Sequence, residues 1–84
     1  MRSVTVYTTD ACKACEQVKL LLETREIPFE EIHIGRDSDR HAELTERTGM
    51  STLPLVFVGA ILVGGRSQTV AADQSGMLAD LLVE

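Results

Sequence analysis

The chain has 84 residues, with 13 acidic against 8 basic side chains and a net charge of −5. That length has room for one domain and no second, so a single domain over residues 1–84 is expected. The acidic balance argues against a general affinity for nucleic acid or an anionic membrane surface, and no apolar run approaches the ~20 residues of a membrane span.

Met1-Arg2-Ser3 passes straight into strand-like sequence with no apolar leader, which makes a reducing, cytoplasmic location the expectation. Arg2 to Tyr7 is rich in β-branched residues and reads as the first strand, with Val4 and Val6 on one face and Thr5 and Tyr7 on the other. Thr8-Thr9-Asp10 is a turn, and Asp10 is placed to cap the helix that follows. That helix is expected from about Cys12 to Arg25, because Ala11, Cys15, Val18 and Leu22 recur at helical spacing with Ala14 and Leu21 beside them. Pro28 marks its end, since the residue before a proline avoids the helical region. Phe29 to Ile34 alternates and suits a second strand, which turns His33 away from Ile32 and Ile34 toward the surface.

Gly35-Arg36-Asp37-Ser38-Asp39 leads into a polar helix. Asp37 or Ser38 caps it, Ala42, Leu44 and Thr45 reach the core, and Gly49 closes it in the left-handed position. His41 sits among charged neighbours and is expected to be solvated. Met50 to Pro54 joins this helix to a strand, Leu55–Val58; Gly59-Ala60 reverses the chain, and Ile61–Val63 is the hairpin partner. Gly64-Gly65 permits positive φ or the close approach of another molecule. Ser67 is expected to cap a final helix through Thr69, Val70, Ala71 and Ala72, with a break at Gly76 and a last apolar turn of Met77, Leu78, Leu81 and Leu82. The order is strand, helix, strand, helix, strand, strand, helix. A parallel, right-handed βαβ unit followed by an antiparallel hairpin predicts an α/β domain with a four-stranded mixed sheet flanked by three helices.

The two cysteines of the chain, Cys12 and Cys15, fall where the first strand hands over to the first helix. Unpaired backbone N–H groups and the positive end of the helix dipole favour a thiolate there, so Cys12 is expected to be a nucleophile. Cys15 shares its helix face at about 5–6 Å between Cβ atoms, within reach of a disulfide. Lys13 would assist a thiolate at Cys12 and Asp10 would oppose it. Four other readings stay open: small core residues, half of a zinc site completed by His33 and His41, a static disulfide, or coincidence. Against zinc, the two histidines are eight positions apart, whereas a structural site usually shows a second closely spaced pair. A static bridge does not suit a reducing compartment, and an inert core thiol does not suit the element boundary at Cys12.

The arrangement resembles the thioredoxin fold, and glutaredoxins in particular, over nearly the whole chain. The resemblance is carried by Val6-Tyr7-Thr8, Cys12-Lys13-Ala14-Cys15, Thr52-Leu53-Pro54 and Gly64-Gly65 before the last helix. It implies a small thiol–disulfide oxidoreductase acting on protein disulfides or glutathione mixed disulfides, with Cys12 as the attacking thiol and Cys15 as the resolving one. It further implies a cis-proline at Pro54, a Leu53 backbone that pairs with bound peptide or glutathione, and glycines at 64 and 65 against which glutathione lies. Arg47 falls near a position that contacts the glycyl carboxylate in relatives, and Ser67 belongs to the same binding region. The implied reductant is glutathione or another low-molecular-weight thiol, with no permanently bound cofactor, and the implied state is a monomer.

The chain departs from the family at several positions. Lys13-Ala14 stands where glutaredoxins usually carry Pro-Tyr, Thr9 where they usually carry a lysine, and Arg66-Ser67-Gln68 where many carry an acidic pair. These departures lean toward an NrdH-type redoxin, which is reduced by thioredoxin reductase and donates electrons to ribonucleotide reductase. The Trp-Ser-Gly-Phe-Arg-Pro stretch usual in such redoxins is missing, with Val63-Gly64-Gly65-Arg66-Ser67-Gln68 in its place. A second alternative is a glutaredoxin that holds a [2Fe–2S] cluster between two subunits, for which the small Ala14 leaves space.

Overall fold

The computed structural model describes residues 1–83. Its elements are β1 (Val4–Thr8), α1 (Lys13–Thr24), β2 (Glu30–His33), α2 (Ser38–Thr48), β3 (Leu55–Val58), β4 (Ile61–Gly64), α3 (Arg66–Ser75) and α4 (Met77–Leu82). The four strands form one sheet in the order β2-β1-β3-β4. β1 runs parallel to β2 and antiparallel to β3, and β3 pairs antiparallel with β4. This is the mixed sheet with helices on both faces that the strand and helix order calls for.

The period-2 pattern of β1 decides which layer lies where. Val4 and Val6 point to one face, where they meet Val56 and Val58 of β3, Val18 and Leu22 of α1, Ala72 of α3, and Leu78 and Leu82 of α4. The other face carries a smaller cluster of Leu55, Phe57, Ile34 and Leu44, with Tyr7 and Ile32 packed against it. Val6, Val18, Leu22, Val56 and Val58 are fully buried. β3 is buried at every residue because helices cover it on both sides, and it reads accordingly as an unbroken apolar run.

Helix ends follow side-chain chemistry. Asp37 caps α2 by accepting from the Arg40 N–H at 3.1 Å, and Gly49 ends it with φ +73. Gly76 breaks the final helix into α3 and α4 with φ +85. Three expectations are corrected. Asp10 does not cap α1; Cys12 does. Ser67 does not cap α3, which starts two residues earlier behind its cap Gly65, and Gln68 instead reaches back to accept the Gly65 N–H at 3.1 Å. Ala42 is exposed, so α2 rests on the sheet chiefly through Leu44. α1 ends at Thr24, and Arg25 beyond it makes a two-pronged ion pair to Asp73 of α3 at 3.0 and 3.1 Å. That pair closes the far end of the helix layer, opposite the cysteines.

Candidate active site

The chain leaves β1 at Thr8 and turns through Thr9, Asp10 and Ala11 into Cys12. The turn is tied to the end of β2, since the Thr9 hydroxyl donates to the Gly35 carbonyl at 2.8 Å. Ala11 takes φ +49, an uncommon value for a residue with a side chain. Cys12 stands in extended conformation as the N-cap of α1, and its Sγ accepts the Cys15 N–H at 3.0 Å. A sulfur therefore does the work that a serine or aspartate oxygen does at most helix starts.

Cys12 and Cys15 are joined in a disulfide, with Cα atoms 5.2 Å apart. Their exposure differs sharply. Cys15 is 2% exposed and packed beneath the helix, whereas Cys12 is half-buried at the rim. Its Sγ also lies 3.7 Å from the Leu53 carbonyl, in the loop before β3. The Leu53–Pro54 bond is cis, as the resemblance implies. One sulfur of the pair is thus open to an incoming molecule and the other is reached only through it.

Two grooves flank the cysteines. One, of about 360 Å³, runs along Leu53 and Pro54 to the start of α3, lined also by Ala14, Gly65, Ser67 and Gln68. Gly65 forms its floor: a Cβ there would come within 3.4 Å of the Pro54 carbonyl oxygen. Gly64 lies buried beside it at φ +125, and a Cβ there would come within 2.8 Å of the Gln68 Cβ. Its carboxylate-free lining includes Arg66. Arg47 lies outside this groove, with its guanidinium 5.9 Å from the centre of the Phe57 ring and its side chain bordering a separate hollow with Tyr7 and Arg40.

The second groove, of about 470 Å³, lies on the β2 side and is shared by Cys12, Cys15 and Lys13 with Asp10, Glu31 and His33. His33 bonds Asp10, Nε2 to Oδ1, at 2.8 Å. Glu31 accepts from the Thr8 hydroxyl at 2.8 Å and from Lys19 at 3.2 Å. Those bonds, the Thr8 one first, hold the Glu31 carboxyl below the usual carboxylate range, and the bond to Glu31 in turn raises Lys19.

The histidines do not join the cysteines as zinc ligands. His33 is engaged by Asp10, and His41 donates to the Ser51 carbonyl at 2.6 Å. Among the described residues no group of three or more His, Cys, Asp or Glu side chains is arranged to hold a metal ion. Sequence reading missed Gln68, although a glutamine at the third position of a helix that follows a cap is a recognisable signature. It also missed the contacts joining Asp10, Thr8, Glu31 and His33, which depend on a parallel register that pairs Thr8 with His33 and that no local pattern encodes.

The chain matches the Glutaredoxin family model over residues 4–63. It is 33% identical over 82 residues to glutaredoxin 3 of Escherichia coli K12, covering 98% of this chain and 99% of that one. Among solved structures it is similar to a glutaredoxin from Brucella melitensis, at 34% identity and a TM-score of 0.84 over 98% of this chain and 89% of that one. It is likewise similar to a buckwheat glutaredoxin–glutathione complex, at 27% identity and a TM-score of 0.88 over 96% and 76%. No helix among the described residues is long and apolar enough to cross a membrane.

Proposed function

The chain belongs to the glutaredoxin family and is a thiol–disulfide oxidoreductase, and from that premise we propose that Cys12 is its attacking sulfur and Cys15 its resolving one. The observation that carries this is the asymmetry of the pair: a half-buried Cys12 at the rim whose Sγ caps a helix, above a partner only 2% exposed. In the reduced protein the Cys12 thiolate attacks one sulfur of a substrate disulfide. A Cys12–substrate bond forms as the substrate S–S bond breaks, and the departing sulfur leaves as a thiolate that takes a proton from solvent. The Cys15 thiolate then attacks Cys12 Sγ and releases the second substrate thiol. Two electrons have passed to the substrate, and the Cys12–Cys15 disulfide remains.

Glutathione, which a similar buckwheat protein binds, is the reductant proposed here. Its thiolate attacks the exposed Cys12 Sγ and frees Cys15, and a second glutathione thiolate attacks the mixed disulfide, leaving oxidised glutathione and the Cys12 thiolate. The groove along Leu53, Pro54, Gly65 and Ser67 is the proposed seat for the thiol's peptide, with Gly64 shaping it through the backbone and Arg47 as a more distant partner. Lys13, on the first turn of α1, favours the thiolate by its charge. A pair that must pass through its reduced form in every cycle suits a reducing, cytoplasmic compartment. The test replaces Cys12 by serine and follows reduction of a small glutathione mixed disulfide. Turnover should fall at least about a thousandfold; undiminished turnover ends the reading.

A further inference from the structure

A chain of polar contacts lies behind Cys12. His33 Nε2 lies 2.8 Å from Asp10 Oδ1, and His33 Nδ1 lies 3.2 Å from Thr8 Oγ1. The Thr8 oxygen lies 2.8 Å from Glu31 Oε2, which also takes a bond from Lys19 at 3.2 Å. Thr8 is buried, and a hydroxyl has one proton to give. An ionised Glu31 can only accept, so that proton goes to Glu31, and toward His33 the Thr8 oxygen is an acceptor. A ring that donates from Nδ1 to Thr8 and from Nε2 to Asp10 is an imidazolium. The contacts are all satisfied only when His33 is charged.

That charge matters to the sulfur. Cys12 shares its groove with three carboxylates, Asp10, Glu16 and Glu31, and with two ammonium groups, Lys13 and Lys19. The His33 proton therefore decides whether the lining is neutral or carries one surplus negative charge. Asp10 stands two residues before Cys12, where its unpaired charge would oppose a thiolate. It is joined to Cys12 through Ala11 at φ +49, so holding Asp10 also holds the backbone that delivers the sulfur.

We propose that His33 is a positioning residue for Cys12: bonded to Asp10 at 2.8 Å, it pins that carboxylate and offsets its charge, so that a larger share of Cys12 is thiolate below neutral pH. The inference rests on Cys12 being the attacking thiol.

The experiment measures the rate of Cys12 alkylation by iodoacetamide, a neutral reagent, in the reduced protein between pH 4 and 9, reading the Cys12 peptide by mass spectrometry. His33→Gln should slow alkylation at about pH 6 by roughly fivefold, the effect of one unit charge across a partly solvated groove. Asp10→Asn in the same chain should return the rate to within about twofold of the parent, because the charge that His33 balances is then gone. His33→Lys should keep most of the parent rate. A merely structural histidine would leave the double variant as slow as His33→Gln, and that result overturns the proposal. So does a His33→Gln profile that superposes on the parent. An unreactive Cys12 in the parent protein overturns the attacking-thiol reading instead, and this inference with it.

Discussion

The backbone N–H of Cys15 points at the Sγ of Cys12 from 3.0 Å, so the residue proposed to resolve the intermediate also solvates the sulfur that it would attack. The contribution comes from its main chain and survives a change of side chain.

Cys15→Ser therefore separates the two roles. Reduction of a small glutathione mixed disulfide, which needs only Cys12 and incoming glutathione, should stay within about threefold of the parent. Reduction of a disulfide within a protein substrate, where Cys15 must release the trapped intermediate, should drop by at least about a hundredfold. Equal losses on both substrates would show that Cys15 supports Cys12 by more than its amide.

The source of electrons is the second measurable point. With glutathione and glutathione reductase as the supply, turnover is expected to exceed that with thioredoxin reductase at matched concentrations. The reverse ranking would move the protein to the NrdH-type reading, which the Lys13-Ala14 centre also fits.

Glu31 links the site to stability in acid. Its carboxyl is held down by the Thr8 hydroxyl first and Lys19 next. A carboxyl depressed by folding stabilises the fold above its unfolded pKa of about 4.3 and loses that contribution as pH falls through the lower folded value. Thr8→Val should shift the Glu31 titration upward, followed by NMR, and should make the melting temperature fall less steeply between about pH 5 and pH 3.

Two substitutions test the frame itself. Leu22→Ala removes a fully buried side chain from the main cluster and should cost about 2–5 kcal/mol in urea unfolding. Gly64→Ala places a Cβ at φ +125 and 2.8 Å from Gln68, and should cost about 1–3 kcal/mol while narrowing the start of α3.

Much of this was legible in the chain because the local signals agree with the global fold. Leu55–Val58 is the observed β3 to the residue, since a strand covered on both faces has no polar alternation to blur it. Gly49 and Gly76 end their helices as expected, because few residues but glycine take those φ values freely. Cys12 and Cys15 identify themselves by spacing. What stayed hidden depends on neighbours far along the sequence. Asp10 looked like a helix cap, but His33, 23 positions away, holds it while Cys12 takes the cap. Ala42 is apolar yet exposed, because it stands two positions from the buried Leu44, about 200° around the helix. His41 keeps its place near solvent, and its bond to the Ser51 carbonyl, ten positions on, was not legible in the local pattern.

The uneven burial of the two sulfurs also bears on oxidative damage. Peroxide meets Cys12 first, and a sulfenic acid formed there lies beside a sheltered thiol whose Cα is 5.2 Å away. Condensation expels water and closes the ring, in competition with the addition of a further oxygen atom that would carry the residue to the irreversible sulfinic state. The geometry that serves turnover thus doubles as a guard for the residue most open to overoxidation.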